Sequence, residues 1–397
     1  KFGGSSVADR ERIMNVARRC IEDYEKGNDV VVVLSAMGKT TDGLLEKARE
    51  ITETPSKREL DMLLVTGEQV SVALMAMAFQ SLGVQAVSLN AAQVAMRTTS
   101  AYGQAKLKRI DTERIRNELD ARKIVVITGF QGINKYDDMT TLGRGGSDTT
   151  AVALAVALHA DFCEIYTDVD GVYTADPRIV PNARKLSEVS YDEMLEFASL
   201  GAKVLHNRSV EMAKRYGVKL VVLSSLTRAE GTIIKEKTSM EKMLVSGVAA
   251  DKNTARISVL GVKDEPGIAF RLFNLLARYR INVDIIIQSV GRDNRKDISF
   301  TVARTDLQET MKIINDHLEM LTADSVSADD TVAKISIIGA GMTSNPGVAA
   351  KMFEALSGAN INIKMIATSE IRITVLIDEE DASRAMRVVH DAFSLAD

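Results

Sequence analysis

The sequence predicts an α/β fold in which a mainly parallel sheet is sandwiched by helices, followed by two copies of a small α+β module. Three observations predict this. Up to about residue 225, short β-branched runs alternate with segments of helical period. A polar stretch at 235–242 follows, and the rest of the chain repeats its own pattern once. We therefore predict a first domain at residues 1–238 and two modules at 250–328 and 329–397.

The strands of the first domain are predicted from short apolar runs, which are typical of strands buried on both faces. These runs are 30–34, 84–89, 124–128, 162–167 and 220–223. Between them, apolar residues at helical spacing predict helices, as from Val7 to Tyr24, where Gly27 is a stop signal. Ligands of such sheets bind at the carboxyl ends of the strands, so we expect the chemistry in the loops that follow them.

The C-terminal part contains an internal repeat. The run ARISVLG at 255–261 matches AKISIIG at 333–339, and INVD at 281–284 matches INIK at 361–364. A Pro-Gly pair stands between the two runs in each copy. Each copy predicts the order strand, helix, strand, strand, helix, with room for one further strand. Two copies are too few for a solenoid, so we expect a pair of small α+β modules.

The bulk composition excludes several classes of protein. The chain has 397 residues and a net charge of −4, which indicates no basic surface for nucleic acid. No apolar run approaches the roughly 18–20 residues that span a bilayer, so we expect no membrane partner. The two cysteines, Cys20 and Cys163, are typical of reduced core residues in a cytoplasmic protein. The four histidines are scattered, so we expect no metal site built by the protein itself.

The first glycine-rich segment is KFGGSS at residues 1–6, directly before a predicted helix. Its two glycines allow the backbone to approach a ligand closely, and free amides at a helix N-terminus attract anions. Ser6 and Asp9 have the spacing of a capping box. Lys1 would add a mobile positive charge beside phosphate oxygens, where charge builds in a transition state. The alternative is an ordinary glycine turn with an exposed lysine.

The second glycine-rich segment is GRGGSDTT at residues 143–150, again before a predicted helix. It is not a dinucleotide fingerprint, because Asp148 stands where the third glycine would fall. Arg144 can hold a carboxylate in a bidentate fork, and Asp148 can pair with an ammonium. The segment therefore predicts a site for a small molecule that has both charges. A loop without function is the alternative.

Three further segments give weaker signals. GKT at 38–40 resembles the end of a P-loop, but Val33 occupies the position of an obligatory glycine, so that motif is rejected. Glu68, in the apolar segment 60–82, is either solvated or paired and partly buried. The acid-rich segment 166–178 lacks the spacing of a calcium loop and better suits a nucleotide.

Six motifs follow one another along the chain. They are KFGGSS (1–6), TGE (66–68), FQG (130–132), GRGGSDTT (143–150), TDVDGVY (167–173) and DPR (176–178). Together they resemble the aspartate kinases of the amino-acid kinase superfamily. The two repeats resemble ACT domains, the ferredoxin-like, amino-acid-sensing modules of those enzymes. The whole pattern is most similar to the monofunctional bacterial type with tandem ACT domains.

The resemblance implies roles for individual residues. It implies that Lys1 and Asp148 are catalytic, and that the phosphoryl group is faced by Lys1, Gly3, Gly4 and Ser5. It implies that aspartate is held by Ser35, Thr41, Glu68, Arg144, Gly145 and Asp148. It implies contacts with ATP, bound with Mg²⁺, for Thr167, Asp168, Tyr173, Arg178 and Lys203. Amino-acid effectors would be bound between the ACT domains by Asp264, Gln288, Asn360 and Ile363.

The resemblance also implies an activity and partners. The γ-phosphoryl group of ATP would pass to the β-carboxylate of L-aspartate, the first step of lysine, threonine and methionine biosynthesis. Lysine, threonine or both would inhibit through the ACT domains. These domains would also join a homo-oligomer, or bind a separate regulatory subunit that starts near Met240 or Met243.

Two rival functions stay open at this point. One is another kinase of the superfamily, such as a glutamate 5-kinase; the KFGGSS start and the ACT pair argue against it. The other is an amino-acid-sensing regulatory protein without kinase activity. The presence of Lys1, Arg144, Asp148 and Arg178 argues against this second function.

Overall fold

The chain divides into two units in a computed structural model. The described residues are 1–200, 204–236, 244–289, 291, 294–342 and 345–396. Unit 1 comprises Lys1–Val172 and Lys185–Ser239, and unit 2 comprises Tyr173–Arg184 and Met240–Asp397. Lys203 and the internal methionines Met240 and Met243, singled out above, lie outside the described residues.

Unit 1 is an α/β unit. Its helices are α1 (Arg10–Glu25), α2 (Thr40–Ile51), α3 (Lys57–Ser81), α4 (Glu113–Asp120), α5 (Gly146–Leu158), α6 (Tyr191–Ser199) and α7 (Asn207–Tyr216). Its strands are β1 (Val31–Leu34), β2 (Ala86–Leu89), β3 (Arg97–Thr98), β4 (Leu107–Arg109), β5 (Ile124–Thr128), β6 (Gln131–Ile133), β7 (Met139–Thr141), β8 (Cys163–Thr167), β9 (Glu188–Ser190), β10 (Leu220–Ser224) and β11 (Thr232–Lys235). All five predicted strands are present, with ends that move by two residues at most.

The main sheet is largely parallel, as predicted. Strands β2, β5 and β1 pair in parallel, and β8 pairs in parallel with β10. Phe2 joins the two parts, because its backbone bridges Leu34 of β1 and Tyr166 of β8, both in parallel. A smaller sheet has the order β4-β3-β6-β7. Val32 packs into the core with α1 and α3, whereas Val33 is buried on the opposite face, which is why β1 contains no polar residue.

Helix α3 is the central helix of unit 1. Ser56 caps its N-terminus by accepting a hydrogen bond from the Glu59 amide. By length and composition alone α3 could cross a membrane, but 56% of its apolar stretch is buried inside the protein. The buried side chains include Met75 and Phe79, which pack on the sheet. This burial is typical of the core helix of a globular protein.

The start of α1 differs from the prediction. The expected capping box between Ser6 and Asp9 is wrong, because residues Gly4–Val7 form a separate 3₁₀ turn. Asp9 itself is the N-cap of α1, and its carboxylate accepts a hydrogen bond from the Arg12 amide. Ser6 is instead buried, with 2% of its surface exposed. The glycine-rich segment therefore has its own tight turn before the helix begins.

The described residues of unit 2 form two four-stranded antiparallel sheets with two α-helices each. Its strands are β12 (Gly247–Asp251), β13 (Ala255–Lys263), β14 (Ile286–Gln288), β15 (Arg295–Val302), β16 (Ser325–Asp329), β17 (Val332–Ile338), β18 (Met365–Thr368) and β19 (Arg372–Asp378). Its helices are α8 (Ile268–Arg278), α9 (Leu307–Asn315), α10 (Val348–Gly358) and α11 (Ala382–Ala392). The sheet orders are β14-β15-β13-β16 and β12-β17-β19-β18. The predicted repeat is therefore present, but the fourth strand of the second copy, β12, precedes the first copy in the chain.

Residues 173–184, which we name the inserted segment, belong to unit 2 although both flanks belong to unit 1. Ala175, Val180 and Ala183 are buried in the core of the second module. The Thr174 hydroxyl lies 3.0 Å from Nε2 of the buried His390, and the Thr174 carbonyl accepts a 2.7 Å hydrogen bond from the Val248 amide. The predicted first domain, 1–238, thus differs from the observed division by this segment.

Candidate active site

Lys1 is held at the carboxyl ends of two parallel strands. The Phe2 amide donates to the Val33 carbonyl at 2.9 Å, and the Tyr166 amide donates to the Lys1 carbonyl at 2.8 Å. The Phe2 ring stacks on the Tyr166 ring with 4.3 Å between centroids. These contacts fix the backbone of Lys1 between β1 and β8. The segment that follows, beginning with Gly3, therefore enters the loop region where the sheet direction predicts a ligand.

Close backbone packing explains the glycines of this region. A Cβ on Gly4 would lie 2.5 Å from the Ala36 carbonyl oxygen, and one on Gly129 would lie 2.6 Å from the Ser147 hydroxyl. A Cβ on Gly3 would lie 3.6 Å from Nζ of Lys1. The Lys1 ammonium thus lies close to the backbone of Gly3 in the first glycine-rich segment, with no side chain between them.

The structure brings Lys1 and Asp148 together. Nζ of Lys1 lies 2.7 Å from Oδ1 of Asp148, and each side chain is only 12% exposed. Asp148 lies in the first turn of α5, where the free amides of the helix stabilise a negative charge. Sequence reasoning assigned both residues to the site but did not predict that they pair. A poorly solvated lysine beside a helix N-terminus is suited to binding an anion with several charges.

The turn before α5 requires glycine at position 145. Gly145 has φ +67°, in the left-handed region, and it is the N-cap of α5. A Cβ there would overlap the side chain of His206. Arg144, just before it, is exposed. The turn therefore presents the Arg144 guanidinium outward while α5 starts against α7.

We expect Gly145→Ala to lower the free energy of unfolding by more than about 2 kcal/mol, because it combines a left-handed backbone with a steric overlap. Urea unfolding measures this. Gly43→Ala is the matched control, since Gly43 lies inside α2 with no atom within 4 Å of the added Cβ. That change should raise stability by about 0.5–1 kcal/mol. Equal effects of the two substitutions would contradict the account of Gly145.

Glu68 is buried, which resolves the two alternatives left by the sequence. Its residue surface is 3% exposed, and Oε1 accepts a 3.1 Å hydrogen bond from the Ala36 amide. Desolvation raises the pKa of the Glu68 carboxyl to about 7, and the Ala36 amide opposes this only in part. Within the described residues, Oε2 has no hydrogen-bond partner. Glu68 is therefore poised to accept a cationic or hydrogen-bonding group from a ligand.

Apart from Asp148, whose Oδ1 faces the Lys1 ammonium, three more buried side chains have an oxygen without a hydrogen-bond partner among the described residues: Ser6, Thr128 and Gln131. Thr128 ends β5, and the Gln131 amide donates to the Val65 carbonyl of α3, one turn before Glu68. Each buried oxygen left unpaired costs about 1–3 kcal/mol, so such groups are typical of a site that a ligand completes. Sequence reasoning gave these residues no contact with a ligand, although Ser6 lies in the KFGGSS motif and Gln131 in the FQG motif.

The other predicted substrate and nucleotide residues are placed as follows. Ser35 follows β1, and Thr41 lies in the first turn of α2; both are half-buried. Thr167 ends β8, and its hydroxyl donates to the exposed Asp168 carboxylate at 3.0 Å. Tyr173 and Arg178 lie in the inserted segment, where Arg178 forms a 2.7 Å ion pair with Asp176. Lys203 lies outside the described residues, and all these assignments stay predictions.

The predicted effector residues lie in both modules of unit 2. Asp264 forms a 2.8 Å ion pair with Lys296, and Gln288 is exposed at the end of β14. Asn360 has φ +55° in the turn after α10, so it has a role in that turn. Ile363 packs against the core of the second module. Their contacts with an effector stay predictions.

Metal binding was expected only through the nucleotide. Within the described part of the chain, no three His, Cys, Asp or Glu side chains gather as a protein-built metal site requires.

Comparison with known proteins agrees with the two units. The model of the amino acid kinase family matches residues 1–224, and ACT domain models match 255–319 and 335–393. An aspartokinase of Geobacillus stearothermophilus is 51% identical over 100% of this chain and 97% of its own.

Two solved structures of Escherichia coli aspartokinase III are also similar. The complex with aspartate and ADP is 27% identical, with a TM-score of 0.84 over 98% of each chain. The complex with lysine and aspartate is 28% identical, with a TM-score of 0.78 over 99% of this chain and 98% of that one. The chain therefore belongs to the amino acid kinase family, as an aspartate kinase with two ACT domains.

Proposed function

We propose that Lys1 and Asp148 form the catalytic centre in which this aspartate kinase transfers the γ-phosphoryl group of ATP to the β-carboxylate of L-aspartate. The observation that supports this is the 2.7 Å ion pair between Lys1 and Asp148, above the first glycine-rich segment and at the N-terminus of α5. The product would be β-aspartyl phosphate and ADP.

The reaction needs little acid–base catalysis by the protein. The attacking carboxylate has an ordinary pKa of about 3.9, so it is ionised at neutral pH and needs no general base. The protein must align donor and acceptor and neutralise charge. Lys1 supplies a cation to the transferring group, and Asp148 holds the Lys1 side chain toward the glycines. Mg²⁺ bound with ATP would supply further positive charge to the phosphates.

The acceptor would be held by groups of opposite charge. Glu68, with its unpartnered Oε2, receives the α-ammonium of aspartate, because Asp148 is already paired with Lys1. Arg144 receives the α-carboxylate in a bidentate fork. The remaining contacts with aspartate come from Ser35, Thr41 and Gly145. Contacts with the nucleotide come from Thr167, Asp168, Tyr173, Arg178 and Lys203.

The two ACT domains are the proposed site of regulation by lysine, threonine or both. Lysine is supported by the similar structure of Escherichia coli aspartokinase III that contains it. Inhibition requires that the effector bind the inactive state more tightly than the active one. We also propose that copies of the chain, or a regulatory subunit, assemble through these domains. A cytoplasmic location is supported by the free, buried thiols of Cys20 and Cys163.

A hydroxylamine trap for acyl phosphate tests the proposed reaction. Aspartate with ATP should give hydroxamate, whereas glutamate should give at least about tenfold less. Lysine and threonine, added singly and together, should lower the rate with aspartate. Absence of any ATP-dependent hydroxamate would favour the non-enzymatic sensor, and a preference for glutamate would favour a glutamate kinase.

A further inference from the structure

Asp61 is a buried carboxylate that the proposed chemistry does not use. It lies on the same face of α3 as Glu68, two helical turns earlier, and 1% of its surface is exposed. No ion pair forms at Asp61 among the described residues. An ionised carboxylate in such a place is destabilising unless several donors surround it. The burial of this carboxylate therefore calls for a cause other than packing.

Three donors surround Asp61. Oδ2 accepts hydrogen bonds from the amides of Gly103 and Thr141, both at 2.9 Å. Oδ1 accepts a hydrogen bond from the Thr141 hydroxyl at 2.8 Å. Desolvation raises the pKa of the Asp61 carboxyl, and these three bonds oppose that rise. Asp61 thus ties α3 to two separate stretches of chain.

One of these stretches leads directly into the second glycine-rich segment, and the other packs against it. Thr141 ends β7 and is followed by Leu142, Gly143 and Arg144. The Ala105 amide donates to the Thr141 carbonyl at 2.9 Å, and a Cβ on Gly143 would lie 3.0 Å from the Gly103 carbonyl oxygen. The stretch 103–105 therefore lies under the base of the turn that presents Arg144.

A second charged residue holds the same two stretches from another side. The guanidinium of Arg208, in α7, donates to the carbonyls of Leu142 and Ala105, both at 3.0 Å. Burial lowers the pKa of Arg208, because desolvation disfavours the charged guanidinium. Asp61 accepts hydrogen bonds from backbone amides of these stretches, and Arg208 donates hydrogen bonds to their backbone carbonyls. The base of the turn is therefore held through both its donors and its acceptors.

We propose that Asp61 is a positioning residue for the amino-acid acceptor: by hydrogen-bond geometry it fixes the base of the 143–148 turn and thereby the place of Arg144. This rests on the proposed role of Arg144 in holding aspartate. The nucleotide residues proposed at the end of β8 are not held by Asp61. Loss of Asp61 should therefore act on aspartate and not on ATP.

Steady-state kinetics of two variants test the proposal. Asp61→Ala should raise KM for aspartate at least about tenfold, with KM for ATP within about threefold of the parent enzyme. Asp61→Asn should rescue, because its amide oxygen can accept both backbone amides while its NH₂ donates to the Thr141 hydroxyl. A uniform change of both KM values, or an Asn variant as impaired as Ala, would overturn the proposal.

Controls separate positioning from general damage. Ile115→Ala opens a cavity in α4, at a fully buried site, and should lower stability without a split between the two KM values. If Asp61→Ala does not fold, Arg208→Gln releases the same stretches and should give the same split; a selective rise in KM for ATP would overturn the proposal.

Arg144→Ala separates this inference from the proposed function. If that change leaves KM for aspartate unaltered, the proposed role of Arg144 is wrong. Asp61 then has no substrate-binding residue to position. If Arg144→Ala raises KM for aspartate and Asp61→Ala does not, Asp61 alone is wrongly assigned.

Discussion

Lys1→Ala is expected to lower kcat about 10²–10³-fold while KM for ATP changes by less than about threefold. The Lys1 side chain is 12% exposed and its Nζ lies close to the backbone of Gly3, so its charge acts in a poorly solvated place. Its interaction is strongest when charge builds on the phosphoryl group in transit, which is why turnover should fall more than binding. Single-turnover measurement of phosphoryl transfer tests the chemical step directly.

Two comparisons sharpen the test of Lys1. Lys26→Ala removes an exposed lysine that pairs with Asp23, beyond the end of α1, and should leave kcat unchanged. Lys1→Ala combined with Asp148→Asn removes the unpaired carboxylate that the single change leaves behind, so stability should recover while turnover stays low. An unaltered single-turnover rate in Lys1→Ala would show that Lys1 is not catalytic.

Glu68→Gln is expected to stabilise the ligand-free enzyme and weaken its hold on aspartate. The pKa of Glu68 is raised from 4.5 to about 7, so folding favours the neutral carboxyl. The stabilising contribution of that neutral form is complete below about pH 4.5 and is lost as pH rises through 7. The glutamine of the variant stays neutral throughout. Its advantage in free energy of unfolding should be below about 1 kcal/mol at pH 5 and reach about 3 kcal/mol at pH 8.

Ionisation of Glu68 should have the opposite effect on aspartate binding: as pH rises, stability falls but aspartate is bound more tightly. An α-ammonium favours ionised Glu68, so KM for aspartate should fall as pH rises from 6 to 8 in the parent enzyme. In Glu68→Gln this trend should vanish, and KM at pH 8 should rise about tenfold to a hundredfold, as for loss of a charged hydrogen bond.

Glu59→Gln is the matched control, because Glu59 lies on the same helix with 66% of its side chain exposed. It should leave KM for aspartate unchanged and lower the free energy of unfolding by less than about 1 kcal/mol at every pH. A parent enzyme whose stability and KM for aspartate are both flat between pH 5 and 8 would contradict a buried, titrating Glu68.

Local pattern was sufficient to predict the elements that build the site. The runs that became β1 and β5 are almost entirely apolar, and such runs have few alternatives to a buried strand. Arg144 and Asp148 could be singled out because a turn without function rarely combines glycines with both charges. The pairing of Lys1 with Asp148 could not be predicted, since it depends on the distance between two loops that strand order brings together.

Long-range pairing accounts for what the sequence did not predict. Strand β12 completes the sheet of the second module although it precedes the first module in the chain, and its last residue, Asp251, lies opposite Lys334 of β17. A short apolar run does not indicate which edge of a sheet the strand will occupy. The inserted segment was likewise predicted to belong to the first domain, because the chain on both sides of it does. Its apolar side chains are instead buried in the same core as α11.

The inserted segment also affects how the chain folds during its synthesis. Thr174 and His390, which meet in the core of the second module, are 216 residues apart in the chain. At a synthesis rate of about 5–20 residues per second, His390 is made roughly 10–40 s after Thr174 leaves the ribosome's active centre. Over that interval Ala175, Val180 and Ala183 lack part of the core that buries them. A nascent chain of this protein therefore exposes an apolar strip until α11 is complete, and that interval is when aggregation competes with folding.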